Sequence, residues 1–168
     1  AVFLAAATGS DIVDDSLTIT DDAPAVLPVG DTVVTFTATD DAGNNATATA
    51  KVTVIDTTDP TITAPAAITV EGDTTGGAVK TNAAIVAFLA AATGSDIVDD
   101  SLTITNDAPV VLPVGDTVVT FTASDDDGNS ATATAMVTVI DTTDPTITAP
   151  ADITVEADTT GGAAKANA

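Results

Sequence analysis

Apolar and polar residues alternate with a period of two over long stretches of the chain. Val34, Phe36 and Ala38 alternate with Thr35, Thr37 and Thr39. After a short break, Ala46, Ala48, Ala50, Val52 and Val54 alternate with Thr47, Thr49, Lys51 and Thr53. This predicts antiparallel strands with one apolar face and one face made largely of threonine. The break, Asp40-Asp41-Ala42-Gly43-Asn44, supplies a Gly and an Asn suited to the positive φ of a tight hairpin. Shorter strands are predicted over 16–20, 24–27, 61–64 and 67–71, with interruptions at Pro28-Val29-Gly30, Pro65 and Gly76-Gly77. The Ala-rich run over 83–92 is helix-like in composition and is read as a strand, or a strand plus loop. Thr, Val and Ile dominate the rest, and about six or seven short strands separated by turns make a β-sandwich. The expected class is all-β.

Sliding the sequence on itself gives one strong self-match, at an offset of 85. Phe3 falls on Phe88, Pro28 on Pro113, Phe36 on Phe121 and Pro60 on Pro145, and 71 of the 83 comparable pairs are identical. The chain is a tandem duplication with little drift. The opening Ala1-Val2-Phe3-Leu4-Ala5-Ala6-Ala7 looks like the apolar part of a signal peptide, but it lacks a basic stretch and recurs at 86–92, so it belongs to the fold.

The segments Leu-Pro-Val-Gly-Asp-Thr-Val-Val-Thr-Phe-Thr-Ala-Thr-Asp-Asp-Ala-Gly-Asn-Asn-Ala-Thr (27–47) and Val-Thr-Val-Ile-Asp-Thr-Thr-Asp-Pro-Thr-Ile-Thr-Ala-Pro-Ala-Ala-Ile-Thr-Val-Glu (52–71) resemble the hyalin repeat (HYR) family. The resemblance spans the whole 85-residue period. It implies immunoglobulin-like modules arranged in tandem in extracellular or cell-surface proteins. The Cys pair that animal members often carry is absent, which points to a prokaryotic source. Phe36 and Phe121 stand where Tyr is common, and the linker reads Asp-Thr-Thr-Asp-Pro where Asp59 is more often Pro or a small residue. The family's boundaries make 57–141 a complete module. Residues 1–56 become the later strands of a preceding module, and 142–168 the first strands of a following one.

Composition narrows the function. The chain has 168 residues, with 25 acidic against 3 basic side chains and a net charge of −22. Nucleic acid and anionic membrane surfaces would be repelled, and no apolar run is long enough for a spanning helix. Without Cys or His there is no disulfide, thiol chemistry, zinc site or imidazole base. Acidic pairs such as Asp14-Asp15 could in principle run glycoside hydrolysis. However, no Trp, Tyr or Arg is present to hold a sugar or an anion, and no enzyme is expected.

The acids themselves offer one chemistry, a calcium site. Calcium takes six to eight oxygens from carboxylates and carbonyls, and neighbouring loops can supply them. In an immunoglobulin-like module the incoming linker meets the B–C and F–G loops. Asp96, with Asp125, Asp126 and Asp127, would therefore face Asp56 and Asp59. At the other end Glu71 finishes a strand near Asp141 and Asp144. The plainer explanation of the linker is that Asp and Thr start a turn and Pro60 or Pro145 stiffens it. Asp125-Asp126-Asp127-Gly128-Asn129 lacks the spacing and closing Glu of an EF-hand and reads as a hairpin turn. Asn45-Ala46-Thr47 is a sequon that the second copy does not keep, since Ser130 replaces Asn45.

These readings lead to a structural expectation. The chain is a stretch of an extracellular fibre, filament or adhesin stalk, extended head to tail and stiffened at its linkers by calcium. Neighbouring copies of itself are the expected partners, either in a continuous array or by strand donation. The alternative is an adhesive module that binds glycan or protein through its loops. It ranks second because the aromatic and Arg anchors of such surfaces are lacking.

Overall fold

In a computed structural model, residues 3–157 and 160–162 are described. The fold is all-β apart from one short helix. Residues 57–141 contain a two-layer sandwich. Its larger layer is a sheet in the order β5 (Ile68–Glu71), β11 (Ser130–Ile140), β10 (Gly115–Ser124), β8 (Thr103–Asn106). β10 and β11 form a long antiparallel hairpin, with Phe121 opposite Ala133. β8 pairs antiparallel with β10, while β5 runs parallel to β11, with Ile140 opposite Glu71. Against this sheet lie two ribbons, β4 (Thr61–Thr63) with β7 (Thr93–Ser95), and β6 (Gly77–Val79) with β9 (Val111–Pro113). The module has eight strands, so the expected six or seven omitted the shortest pieces.

The period of two places the core. Val119, Phe121 and Ala123 on β10, and Val137 and Val139 on β11, are buried, while the preceding residues Val118 and Met136 face outward. Val119, Phe121, Val137 and Val139 pack with Val70, Ala78, Ile85, Phe88, Ala108 and Leu112. Phe88 and Phe121 meet edge to face, with ring centroids 5.7 Å apart, a favoured aromatic geometry.

Two expectations need correction. The Ala-rich run is not a strand. Ala83–Leu89 forms the helix α1, capped by Asn82, whose side chain accepts the Ala84 N–H at 3.0 Å. Ala and Leu favour helix, and Ile85, Phe88 and Leu89 fall at i, i+3 and i+4, so one helical face enters the core. The second correction concerns residues 24–27, which are loop. Their counterpart β9 is a strand because β6 pairs with it, and no such partner lies beside 24–27 among the described residues. In the hairpin loops only Gly43 and Gly128 take positive φ, at 89° and 94°. Asn44 and Asn129 act through their side chains instead.

The first copy forms a three-stranded sheet, β1 (Thr18–Asp21), β2 (Gly30–Thr39) and β3 (Asn45–Val54). Its apolar face carries Phe3 against Phe36, edge to face at 5.9 Å, as in the second copy. Residues 141–157 contain no strand. Among the described residues no helix is long and apolar enough to cross a membrane.

Candidate metal centre

Three carboxylates from three separate segments converge where the linker meets the sandwich. Asp56 comes from the linker, Asp96 from the loop after β7, and Asp125 from the β10–β11 hairpin. One oxygen of each lies within 4.8 Å of the other two. Asp56 and Asp125 are each only 8% exposed, and Asp96 is half-buried.

Local hydrogen bonds aim these groups. Asp96 Oδ1 accepts the N–H groups of Val98 and Asp99, at 2.7 and 3.1 Å, closing an Asx turn. Asp125 accepts both the backbone N–H and the side-chain amide of Asn129, each at 2.7 Å. The same Asn129 amide donates to the Asp56 carbonyl, at 3.3 Å, and so ties hairpin to linker. Asp56 Oδ1 accepts the Thr58 N–H at 2.9 Å. Asp99 Oδ2 accepts the Asp126 N–H at 2.8 Å and joins the two loops. Burial pushes the Asp125 carboxyl up, but the Asn129 side chain and the N–H groups of Asn129, Gly128 and Asp127 outweigh it, so the group sits below the ordinary carboxylate range.

Asp56 Oδ2 and Asp96 Oδ2 are buried and have no hydrogen-bond partner. A buried anionic oxygen left bare is costly, and two of them together with Asp125 call for a cation. The lysines described elsewhere are engaged. Lys51 pairs with Asp31 at 2.7 Å, and Lys80 donates to Asn106 and to the Ala108 carbonyl. Calcium bonds oxygen at about 2.3–2.6 Å, so its ligands lie up to about 5 Å apart. The three carboxylates fit within that span. The donor set, all oxygen and all Asp, is that of a hard cation.

Asp59 and Asp126 are exposed and stand outside this group, as does Asp127. At the far end Glu71 does not join a carboxylate cluster. Its oxygens accept the Thr142 N–H at 2.7 Å and the hydroxyls of Thr142 and Thr143, so it clasps the outgoing linker. Asp141 accepts the Thr143 N–H, and Asp144 is exposed. Asn129 was not foreseen as a site residue. The Asp-x-x-x-Asn spacing over 125–129 was the available signal.

The HYR domain model matches this chain twice, over residues 1–54 and 55–139. A protein named Hyalin from Lytechinus variegatus is 42% identical over 149 residues, 81% of this chain and 27% of that protein. A Hyalin from Strongylocentrotus purpuratus is 38% identical over 131 residues, 74% of this chain and 10% of that protein. The chain thus spans about a quarter or less of the length of these relatives. Both come from sea urchins, so the prokaryotic source expected from the missing Cys pair has no support here.

Proposed function

Because the chain belongs to the HYR domain family, we propose that it is a structural repeat of an extracellular fibre, filament or adhesin stalk, with modules joined head to tail and calcium stiffening each junction. The reading rests on the Asp56–Asp96–Asp125 group. Asp56 is part of the linker, whereas Asp96 and Asp125 belong to the body of the sandwich. An ion shared by all three fixes the linker's angle to the module. Remaining positions in the shell go to water or to backbone carbonyls. Near-identical modules suit a spacer, since reach scales with their number and each unit packs only on its neighbours. Catalysis has no part in the proposal. Recognition through the loops ranks second, because all four aromatic residues are Phe and pack on the apolar faces rather than in the loops.

Calcium titration calorimetry, paired with small-angle scattering and limited proteolysis in calcium and in EDTA, tests the proposal. A dissociation constant of about 10⁻⁴–10⁻³ M is expected, in the range of extracellular modules. EDTA should broaden the distribution of solution shapes and increase cutting between Asp56 and Pro60. No heat of binding, together with an unchanged shape in EDTA, overturns it.

A further inference from the structure

Four exposed apolar side chains flank the Asp56–Asp96–Asp125 group, two on each side of the linker. Ile97 and Val98 form the tip of the loop after β7, 86% and 49% exposed. Ile55 and Val29 stand at the open end of the β2–β3 hairpin, 72% and 41% exposed. The pairing of Gly30 with Val54 places them next, on opposite strands. Ile55 directly precedes Asp56, and Ile97 directly follows Asp96. Successive Cα atoms are about 3.8 Å apart. Both isoleucines therefore sit beside carboxylates whose oxygens lie within 4.8 Å of each other. Val29 and Ile55 are exposed with a whole module after them. Their counterparts Val114 and Ile140 are exposed with a whole module before them. The exposure thus belongs to the junction itself.

We propose that the junction closes on an apolar contact, in which the Ile97–Val98 tip packs against Val29 and Ile55 of the preceding module, and that calcium drives the closure. The contact stands on the apolar surfaces, and its calcium dependence rests on the function proposed above.

The occupant is the adjoining module because the patch is too small for a separate partner. Independent proteins need about 1,200 Å² of total buried surface to associate stably, far more than four aliphatic side chains offer. Across a short linker the second contact is intramolecular, and a high effective concentration replaces area. Both surfaces are also held in place beforehand, which lowers the entropy lost on contact. The tip is fixed by the Val98 and Asp99 N–H groups on Asp96 Oδ1, and by Asp99, whose two oxygens accept the Ser101 and Asp126 N–H groups at 2.8 Å each. Val29 lies in a turn between Pro28 and Gly30, whose φ is 100°.

Charge supplies the switch. Without a cation the three carboxylates repel one another and hold linker and loop apart. A bound cation draws them together, and Ile55 and Ile97 move with the aspartates to which they are joined. Because only the closed junction makes the contact, the contact in turn strengthens calcium binding. The repeat keeps all four residues, with Ile12 and Val13 matching Ile97 and Val98.

Methyl-labelled NMR of the 168-residue chain, in millimolar calcium and in EDTA, tests the contact, with calcium titration calorimetry beside it. Two variants accompany the wild type, Ile97→Ser/Val98→Ser in the tip and Val29→Ser across the junction, all at exposed positions. In calcium, nuclear Overhauser effects should link Ile97 or Val98 methyls to those of Val29 or Ile55, and EDTA should weaken them. Each variant should bind calcium about fivefold more weakly, the low end of coupling between sites. Val29 adjoins none of the three aspartates in sequence, so a loss in the tip variant alone reports damage to the loop and overturns the coupling. Calcium binding without the methyl contacts overturns the closure and leaves the junction site standing. Methyl contacts of equal strength with and without calcium, and no heat of binding, refute the junction site and leave the apolar contact. In a mixture of differently labelled chains, contacts that prove to be between chains overturn the assignment to the adjoining module.

Discussion

Replacing Asp56 by Asn separates an ion site from an ordinary acidic turn, because the sign of the effect should depend on calcium. The Asp56 and Asp96 oxygens lie within 4.8 Å of each other. Two like charges at that distance repel by about 1 kcal/mol in a water-like dielectric and by about 3 kcal/mol at an effective dielectric constant near 20. The substitution removes that repulsion and keeps the side-chain acceptor for the Thr58 N–H. It also supplies an amide that can donate to the bare Asp96 Oδ2. In EDTA, Asp56→Asn should therefore stabilise the module by at least about 1 kcal/mol. For a domain of this size that raises Tm by about 4–8 °C. In calcium at ten times Kd the wild type gains about 1.4 kcal/mol, or about 6–11 °C, by mass action. The variant should gain almost nothing, so the two melting temperatures converge or cross. Scanning calorimetry of both proteins across a calcium series reads this directly. A variant that melts lower in EDTA and still climbs with calcium would refute the reasoning.

Three further outcomes are expected. Phe121→Ala should cost about 3–5 kcal/mol in denaturant titration, while Phe36→Ala, at a half-buried position on the open sheet, should cost clearly less. Gly77→Ala should break the β6–β9 ribbon, because a Cβ there collides with the Leu112 carbonyl; faster amide exchange at Ala78 and Leu112 would report it. The Glu71 carboxyl is held below its ordinary value of 4.5, first by the Thr142 N–H, against a smaller upward push from burial, and then by the Thr142 and Thr143 hydroxyls. Its clasp on the linker is thus fully present above about pH 4.5 and is lost as pH falls through the lower folded-state value. Cutting of the 141–144 linker by an acid protease should rise over that window in the wild type. In Glu71→Gln it should already be high at about pH 4.5, where the wild-type clasp still holds.

The long hairpins, their inward faces and the duplication could be read from the sequence because each rests on strict periodicity, of two or of 85. Phe121, Val137 and Val139 are buried as the alternation of β10 and β11 requires. The α1 helix was missed because its apolar residues are embedded in alanine, which fits both patterns, and because its Asn82 cap lies outside the Ala run. Strand formation over 24–27 failed for a different reason. A strand that short depends on a partner, and pairing is not encoded locally. At the metal centre, the types and the loops were predictable from the need for oxygen donors at one end of a sandwich. Which acids converge was not, since Asp56 and Asp59 sit three residues apart in the same linker and differ only in how the turn at Thr57–Thr58 rotates them. The folded chain draws in Asp56 through the Asn129 amide and leaves Asp59 in solvent.

The parallel pairing of β5 with β11 has a mechanical consequence. The linker arrives at the Ile68 side of that pair, and the chain departs from Ile140 at the other side. Tension along the molecule pulls β5 backward and β11 forward, so the two strands are dragged past each other lengthwise. Their hydrogen bonds, lying across the direction of pull, must then yield together rather than one after another, as they would if a hairpin were unzipped from its tip. Because forced unfolding is governed by the unfolding barrier rather than by equilibrium stability, a module of modest thermodynamic stability wired this way can still resist a sudden load.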